Sequence, residues 1–516
     1  MSGDVLLIEP VDKNASVPPI LKMMYDFISK CTPVISEKRL KKCNIDAKDI
    51  FKYQSGVIVD YPRWVVRTGL LSIAAYLEKY GYHVDYCPLN YYYAKDSQQA
   101  SKSEKEWLKS ILKKHVSSDK VVGITCTTPE FKGALRVLKI CKEINPNIVT
   151  VMGGYHVTFQ DLNTLQNKFV DIVVRGEGEE TMLEITKNYE KGRDFSSIKG
   201  ITYRSADDKV IKNPDRPPLD LKSLPIPAYH LLPKDALKSI RVAIMLSRGC
   251  PYNCSFCVEG RFWKHKIRYR SINQVINELR YIKDKFKLNF VHLADSSCDL
   301  HYEKINKLCD YLIKNDVDIF LSCNIRADSY RILGKIYDKM KKAGFIEFLL
   351  GVESGSDIQL QRLNKGITFN DVLTTLKVLN EKHIPFIRSY WMIGGPGENH
   401  QTATETVKKL DYLYEKELIY DSLVRIFTPY PGLDIFDNPS MYGITILTYD
   451  WDRYRRFSFP PVHRLVDLNE YELCNYIFLM KSIQIKHYAK WAGMEKECYD
   501  FFWNFSEKYF WKVIPP

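Results

Sequence analysis

Residues 246–260 read LSRGCPYNCSFCVEG, and three of the 13 cysteines of the chain lie in this stretch. It places Cys250, Cys254 and Cys257 at a C-x3-C-x2-C spacing directly after a predicted strand. Three thiolates on one short loop can bind three irons of a 4Fe-4S cluster, because soft sulfur ligands suit iron-sulfur sites, and the fourth iron is left open. Structural zinc is the alternative. Such sites are usually closed by four ligands, and no fourth Cys or His stands at ordinary spacing on this loop, so the spacing favours a cluster.

A regular alternation of strands and helices surrounds this stretch. Six strand-helix units follow one another in residues 239–437, with apolar strands such as FIEFLLGV at 345–352 between amphipathic helices. This number of units predicts a partial (β/α)6 barrel of the TIM type rather than a complete eight-fold barrel. Active-site residues are therefore expected just after each strand.

The first part of the chain, residues 1–195, shows a second alternation, which predicts an α/β domain with a doubly wound, Rossmann-like parallel sheet. The segment between its first strand and the helix that begins at TGLL is interpreted as a polar, lysine-rich excursion. Residues 196–238 contain a predicted hairpin and many prolines, and we interpret them as a linker. Residues 438–516 are rich in aromatic side chains and predict a helical C-terminal cap on the barrel.

The composition indicates the cellular compartment of the protein and the kinds of partner that it is not expected to bind. The chain has 516 residues with 45% hydrophobic content, which is ordinary for a globular protein of two or three domains. Its 13 cysteines are odd in number and no export signal accompanies them, so reduced thiols in the cytoplasm are expected. The net charge of +13 is spread among acidic residues, so no nucleic-acid partner is expected. No apolar run is long enough to predict a membrane span.

The cysteine loop resembles that of the radical S-adenosylmethionine (SAM) superfamily, whose C-x3-C-x-aromatic-C motif follows the first strand of a partial barrel. Phe256 stands in the aromatic position. The resemblance implies that the open iron chelates the amino and carboxylate groups of SAM. It also implies that one-electron reduction releases methionine and a 5′-deoxyadenosyl radical.

Later strand ends extend this resemblance, through CNIRAD at 323–328, GVESGS at 351–356 and IGGPGE at 393–398. Each assignment has a plainer alternative. Glu353 can cap the next helix, Arg326 can form an ion pair, and the glycines can serve only the turn. The resemblance implies SAM contacts by the following residues: Phe256, Arg326, Glu353, Ser354, Gly394 and Gly395.

The N-terminal domain resembles the cobalamin-binding domain that precedes many radical SAM barrels. The matching segments are TGLLSIAAYL, VVGITCTT, VMGGYHVT and RGEGEET, in that order. Small residues after parallel strands let a large planar cofactor lie against the backbone. The D-x-H-x-x-G pattern that supplies a histidine to cobalt is absent, and His156 is equally compatible with a structural role. The resemblance implies these cobalamin contacts: Thr125, Thr127, Thr128, Gly153, Gly154, Tyr155, His156, Gly176, Glu177 and Gly178.

Together the two resemblances imply a cobalamin-dependent radical SAM methyltransferase. It would transfer a methyl group from methylcobalamin to an unactivated carbon of a small-molecule or natural-product substrate, with electrons from a donor such as flavodoxin or ferredoxin. A non-methylating ring contraction, cyclisation or rearrangement is the alternative. A radical methylthiotransferase is disfavoured, because such enzymes carry a second three-cysteine cluster in the N-terminal domain. A cobalamin- or light-sensing binding protein would not need the complete cysteine loop.

Overall fold

The computed structural model describes residues 5–11, 19–43, 66–96, 103–116, 121–234, 242–455 and 458–505. Within these ranges the chain forms two large sheets, each flanked by helices. None of the helices in this part of the chain has both the length and the apolar character needed to cross a bilayer.

The first sheet has seven strands in the order β2-β1-β3-β4-β5-β6-β7. Strands β1 to β5 pair in parallel, and β6 and β7 pair antiparallel. The hairpin predicted in the linker is therefore present, and it extends this sheet beyond β5. The strands are β1 Val5–Glu9, β2 Val84–Pro88, β3 Val121–Thr125, β4 Val149–Gly153, β5 Ile172–Val174, β6 Ile201–Arg204 and β7 Val210–Lys212.

Helices connect these strands, as the alternation of apolar periods predicts. In the helix Phe131–Ile144, for example, five of the six buried residues lie on one helix face: Phe131, Ala134, Val137, Leu138 and Cys141. The helices up to the linker are α1 Pro19–Lys42, α2 Thr68–Lys79, α3 Leu89–Lys95, α4 Glu104–Leu112, α5 Phe131–Ile144, α6 Tyr155–Phe159, α7 Asp161–Thr164 and α8 Glu179–Glu190.

The second sheet has six parallel strands in the order β15-β14-β13-β12-β11-β8, as the predicted partial barrel requires. A two-stranded ribbon, β9 with β10, follows the first barrel strand. Another antiparallel pair, β16 with β17, belongs to the C-terminal region. The strands are β8 Val242–Ile244, β9 Ser247–Arg248, β10 Arg268–Tyr269, β11 Phe290–Leu293, β12 Phe320–Arg326, β13 Phe345–Glu353, β14 Phe386–Ile393, β15 Asp421–Ile426, β16 Ile444–Ile446 and β17 His463–Leu465.

The barrel helices begin at strong sequence signals. Ser271, Thr368 and Asn399 each form a capping box at the start of the helix that follows. The helices of this half are α9 Glu259–Phe262, α10 Ile272–Phe286, α11 Tyr302–Lys314, α12 Tyr330–Leu333, α13 Tyr337–Lys342, α14 Asp357–Arg362, α15 Phe369–Glu381, α16 His400–Glu415, α17 Asp434–Asp437, α18 Glu470–Ala492 and α19 Glu495–Phe505.

Helix α1 corrects one prediction. The region interpreted as a polar excursion contains a 24-residue helix that packs against α18 of the C-terminal region. Its buried residues Met24, Phe27, Ile28, Cys31 and Ile35 recur at helical spacing. Many lysines and an internal proline, which ordinarily breaks a helix, hid this stripe in the sequence.

Candidate active site

The cluster loop, residues 249–260, is shaped by a glycine near each end. Gly249 has a φ of +117°, and a Cβ built there would lie 2.0 Å from the carbonyl oxygen of Lys266. A Cβ at Gly260 would lie 2.4 Å from the carbonyl oxygen of Tyr252. Both positions therefore exclude a side chain, and the loop packs tightly against the backbone of Lys266 at one end and of its own Tyr252 at the other.

The segment after α14 holds the middle of the cluster loop in place. The Ser255 amide donates a hydrogen bond to the carbonyl oxygen of Leu363 at 3.0 Å. The Asn364 side-chain amide donates to the carbonyl oxygen of Asn253 at 2.8 Å. The loop is thus fixed from the barrel side by a segment that follows the fourth barrel strand, β13.

The three thiols of the cluster loop are partly exposed and form no disulfides. Burial raises the pKa of Cys257 to about 12 and also raises the pKa of Cys250, and each of these shifts includes a contribution from Cys254. The Cys254 thiol is therefore close enough to the other two to affect the pKa of both. Among the described residues, no three His, Cys, Asp or Glu side chains are gathered tightly enough for a single metal ion. In a 4Fe-4S cluster the cysteines are shared among several irons.

Arg326 lies beside the cluster loop at the end of β12. Its guanidinium carbon is 3.8 Å from the centroid of the Tyr252 ring, and its Nη2 donates to the carbonyl oxygen of Lys365 at 2.7 Å. Burial lowers the pKa of Arg326, but Asp328, Tyr252 and Cys254 outweigh it and the net shift is upward. The charged guanidinium is therefore stabilised next to the loop, and it also forms the ion pair with Asp328 that the sequence left open.

Glu353 and Lys365 form a second charged group on the same side of the loop. The Lys365 Nζ lies 3.0 Å from Glu353 Oε1 and 5.5 Å from the centroid of the Phe256 ring. Burial lowers the pKa of Lys365, but Glu353 and Cys254 reverse the shift and raise it. Glu353 has a φ of +71°, an unusual conformation for a residue other than glycine. The sequence analysis did not find Lys365, since its partner is twelve residues away across a helix.

The donor set of this region fits an iron-sulfur cluster with SAM. Three thiols share one loop, and the buried cations Arg326 and Lys365 lie within electrostatic reach of Cys254. A cluster held by thiolates is electron-rich, so fixed positive charge beside it is favourable. The Glu353 carboxylate lies in the same region, where it pairs with Lys365.

Ser354 and the glycine turn are more deeply buried than the cluster loop. The Ser354 hydroxyl lies 2.8 Å from the Thr406 hydroxyl of α16, so this side chain is already hydrogen-bonded within the protein. The Gly394 and Gly395 amides both donate to Glu398 Oε2, and His463 Nε2 lies 2.9 Å from the Gly394 carbonyl oxygen.

Two features of this glycine turn escaped the sequence analysis. Burial raises the pKa of the Glu398 carboxyl to about 7, although the two glycine amides oppose this shift. His463 comes from β17, so the C-terminal region supports the turn across a long sequence distance.

The threonines predicted to contact cobalamin follow β3. Thr127 donates from its hydroxyl to Glu130 Oε2 at 2.7 Å and caps the short turn there. The Thr128 hydroxyl lies 3.2 Å from His156 Nδ1. Thr125 remains partly exposed at the end of the strand. Of the three hydroxyls, only that of Thr125 forms no hydrogen bond within the part of the chain that the structure describes.

His156 is buried between two aromatic rings. Its ring centroid lies 4.3 Å from that of Phe131 and 5.0 Å from that of Trp451. Burial lowers the pKa of His156 to about 4, so the imidazole is neutral at pH 7. This placement favours the structural role that the sequence analysis left open.

The predicted cobalamin-binding glycines differ in their surroundings. Gly176 has a φ of +76°, and its missing Cβ would point into open space, which leaves room for a ligand. Gly154 has a φ of +108° and abuts the backbone of Cys126. Gly153 ends β4 and is partly exposed. A Cβ at Gly178 would lie 2.6 Å from Ile73 Cδ1, so this glycine permits helix packing.

Tyr155 connects the first domain to the cluster loop. Its hydroxyl donates to Glu259 Oε1 at 2.6 Å, and its ring centroid lies 4.3 Å from that of Phe262. Glu259, two residues after Cys257, also accepts a hydrogen bond from Trp263 Nε1 at 2.8 Å. The hydrogen bond between Tyr155 and Glu259 therefore links the end of β4 to the segment directly after the cluster cysteines. The sequence analysis did not identify Glu259.

Glu177 faces the barrel. Arg248 Nη1 lies 2.8 Å from Glu177 Oε1, and Arg268 Nη1 lies 2.7 Å from Oε2. Its carboxylate is therefore engaged by both strands of the β9–β10 ribbon. A cavity of about 290 Å³ adjoins this contact, and Gly176 and Trp263 are among the residues that line it.

Comparison with known proteins identifies both domains. Residues 244–410 match the family model of the radical SAM superfamily, and residues 56–186 match that of the B12 binding domain. Over 388 residues the chain is 30% identical to an uncharacterized methyltransferase of Pyrococcus horikoshii, a match that covers 74% of this chain and 81% of the relative. The chain belongs to the cobalamin-binding radical SAM enzymes. Its cofactors are accordingly a 4Fe-4S cluster, SAM and cobalamin, as predicted.

Relatives of this radical SAM enzyme include more than methyltransferases. It is 31% identical over 343 residues to the anaerobic magnesium-protoporphyrin IX monomethyl ester cyclase of Rubrivivax gelatinosus, covering 65% of this chain but only 60% of the cyclase. Over 349 residues it is 26% identical to the cytidylyl-2-hydroxyethylphosphonate methyltransferase of Streptomyces wedmorensis, covering 59% of this chain and 64% of that enzyme.

Solved structures of two enzymes share the fold. The methyltransferase TsrM of Kitasatospora setae, solved with cobalamin and a 4Fe-4S cluster, aligns with a TM-score of 0.64 and 14% identity over 98% of this chain and 100% of TsrM. The cobalamin-dependent radical enzyme OxsB aligns with a TM-score of 0.61 and 17% identity over 86% of this chain and 56% of OxsB. The predicted fold class, with its Rossmann-like domain, partial barrel and helical C-terminal region, is confirmed.

Proposed function

We propose that this enzyme transfers a methyl group carried by cobalamin to an unactivated carbon of a small molecule or natural product. The observation that carries the proposal is the match to the Pyrococcus methyltransferase over 81% of its length. The proposal includes the binding assignments. Cys250, Cys254 and Cys257 would hold the cluster, and the ends of β3, β4 and β5 would hold cobalamin.

The residues around the cluster loop would bind and orient SAM. When bound, the cluster supplies the electron that cleaves SAM, and cobalamin supplies the methyl group. Glu353 would accept hydrogen bonds from SAM, and Lys365 holds this carboxylate in place at 3.0 Å. Arg326, fixed on the Tyr252 ring and the Lys365 carbonyl, would place a positive charge near the SAM carboxylate.

The contact between Tyr155 and Glu259 would define the space in which the two cofactors meet. The rings of Tyr155, Phe262 and Trp263 lie in sequence beside it, with centroid separations of 4.3 Å and 4.8 Å. Such an aromatic wall keeps water out of the site. A reactive radical needs this protection from water. An external reductant such as flavodoxin or ferredoxin would reach the cluster from the exposed side of the loop, where Pro251 and Asn253 face solvent.

A second candidate function is a radical cyclisation without net methyl transfer. The 31% identity to the Rubrivivax cyclase favours it. The residues proposed here to bind the cluster and SAM would serve both reactions equally, because both begin with SAM cleavage. The candidates differ in whether the SAM methyl group moves to cobalamin.

The experiment uses protein purified without oxygen and loaded with cobalamin. After iron and cobalt are quantified, the reduced enzyme is mixed with SAM that carries a trideuterated methyl group, and the corrinoid is analysed by mass spectrometry. We expect near-stoichiometric cobalt and transfer of the label to the corrinoid. Full cobalt and iron content with no label on the corrinoid would reject methyl transfer and favour cyclisation.

A further inference from the structure

The β9–β10 ribbon carries two arginines on facing strands. Arg248 and Arg268 are register partners in this antiparallel pair. Arg248 is the last residue of β9, and only Gly249 separates it from Cys250. Any movement of the ribbon therefore moves the start of the cluster loop.

Both arginines bind the turn that follows β5 in the first domain. Arg248 donates to Glu177 Oε1 at 2.8 Å through Nη1 and to Glu179 Oε1 at 2.7 Å through Nη2. Arg268 pairs with the other carboxylate oxygen of Glu177 and also donates to the carbonyl oxygen of Leu219 at 2.6 Å. Two arginines thus meet two glutamates, and the charges balance.

The burial of three of its members distinguishes this four-residue group from a surface ion pair, while Arg268 is 19% exposed. The Arg248 side chain is 8% exposed, and those of Glu177 and Glu179 are 10% and 3% exposed. Buried, hydrogen-bonded charges tolerate little displacement, because a broken pair leaves a charge without compensation. The Ser72 hydroxyl of α2 also donates to Glu179 Oε1 at 2.7 Å, so the group is anchored in the first domain.

We propose that Arg248 and Arg268 are positioning residues that set the separation between the cobalamin site and the cluster. Their carboxylate partners adjoin Gly176, beside the predicted cofactor cleft, and their own ribbon leads directly into the cysteine loop. Glu177 accordingly acts as part of the domain contact rather than as a cobalamin ligand. This inference rests on the proposed placement of both cofactors but not on the reaction they perform.

The test compares two arginine variants in the full-length enzyme loaded with both cofactors. Arg248→Gln removes the central cation. Arg216→Gln is the matched control, because Arg216 pairs with Glu180 and Glu184 farther along α8 and, within the residues that the structure describes, forms no hydrogen bond or ion pair with the ribbon. The readout is the magnetic dipolar coupling between the reduced cluster and cob(II)alamin, measured by pulsed electron paramagnetic resonance, and it needs no substrate.

We expect Arg248→Gln to keep iron and cobalt but to shift or broaden the distribution of cluster-to-cobalt distances, while Arg216→Gln matches the wild type. Label transfer from SAM to the corrinoid should fall by roughly a hundredfold, because a misplacement of about 1 Å can cost that factor. An unchanged distance distribution in Arg248→Gln would overturn the proposal. So would loss of cobalt alone, because it would make the group a binding site.

A double variant covers the case in which Arg248→Gln fails to fold. Arg248→Gln with Glu179→Gln removes one charge of each sign and leaves the Glu177–Arg268 pair intact. We expect it to fold, retain both cofactors and show the same altered distance distribution. A wild-type distribution in this variant would also overturn the proposal. If label transfer were absent in the wild type as well, the distance measurement would still decide the positioning role.

Discussion

Replacing Gly154 with Ala should weaken cobalamin binding and destabilise the first domain. The backbone at Gly154 has a φ of +108° and a ψ of −177°, a region that only glycine adopts freely, so alanine adds about 1–3 kcal/mol of strain. The new Cβ would lie 2.5 Å from the carbonyl oxygen of Cys126 and 2.9 Å from the Thr125 hydroxyl. Overpacking of this kind adds about 1–3 kcal/mol more.

The steric clash at Gly154 would also distort the proposed cobalamin cleft. The Cys126 amide donates to the carbonyl oxygen of Gly153 at 3.0 Å, so relief of the clash must separate the ends of β3 and β4. These two strand ends carry most of the proposed cobalamin contacts. Each 1.4 kcal/mol lost from binding raises the dissociation constant about tenfold.

Gly81→Ala provides the matched control for strain alone. Gly81 has a φ of +89°, and its missing Cβ would meet nothing within 4 Å. Both variants and the wild type would be titrated with hydroxocobalamin without oxygen and followed by absorbance, and their unfolding free energies measured in urea. We expect Gly154→Ala to bind at least tenfold more weakly than Gly81→Ala. Equal dissociation constants for the two variants would refute the placement of cobalamin at this strand end.

Three further predictions concern the cluster loop, the buried ion pair beside it and a buried histidine. Replacing all three cysteines of the cluster loop with Ala should abolish reductive SAM cleavage and iron binding while corrinoid absorbance persists; retained cleavage would contradict the cluster assignment. Lys365→Gln should lower the unfolding free energy by about 3–5 kcal/mol, because the Glu353 carboxylate, whose side chain is 13% exposed, loses its partner, and adding Glu353→Gln should recover part of this loss in urea denaturation. Burial lowers the pKa of His156 from 6.5 to about 4, so the unfolded chain binds more protons between these values and stability should fall by about 3 kcal/mol as the pH drops from 6.5 to 4. His156→Phe should flatten this part of the pH profile of the unfolding free energy, and an unchanged slope would contradict the assignment.

Apart from α1, most strands of the two sheets and the longer helices between them followed from local patterns. Fully buried parallel strands read as short apolar runs, and the helices between them show their buried face at regular spacing. The cluster loop was equally visible, because its cysteines lie within eight consecutive residues, 250–257. These features depend on neighbours in sequence, which is why the sequence alone predicted them.

The contacts between the domains could not be predicted from local sequence patterns. Arg248 and Glu179 are 69 residues apart, and Tyr155 and Glu259 are 104 apart. Charged residues on a loop are ordinary in a sequence, and only the fold reveals that they are buried together. The same reason applies to Glu177: its neighbours Gly176 and Gly178 indicate a turn in the sequence, but its partners Arg248 and Arg268 are revealed only by the fold.

Helix α1 has a consequence for how the protein is made. Cys31 in this helix contacts Met494, which lies just after the end of α18 and 463 residues later in the chain, and the Ser36 hydroxyl lies 2.8 Å from that of Tyr420. During synthesis α1 emerges early but must wait for the last barrel strand and α18 before it can pack. The packing of segments so far apart in the sequence is slow. Until it occurs, the apolar face of α1 is exposed and can aggregate. The yield of folded enzyme should therefore depend on chaperones that cover the apolar face of α1 until α18 has been made.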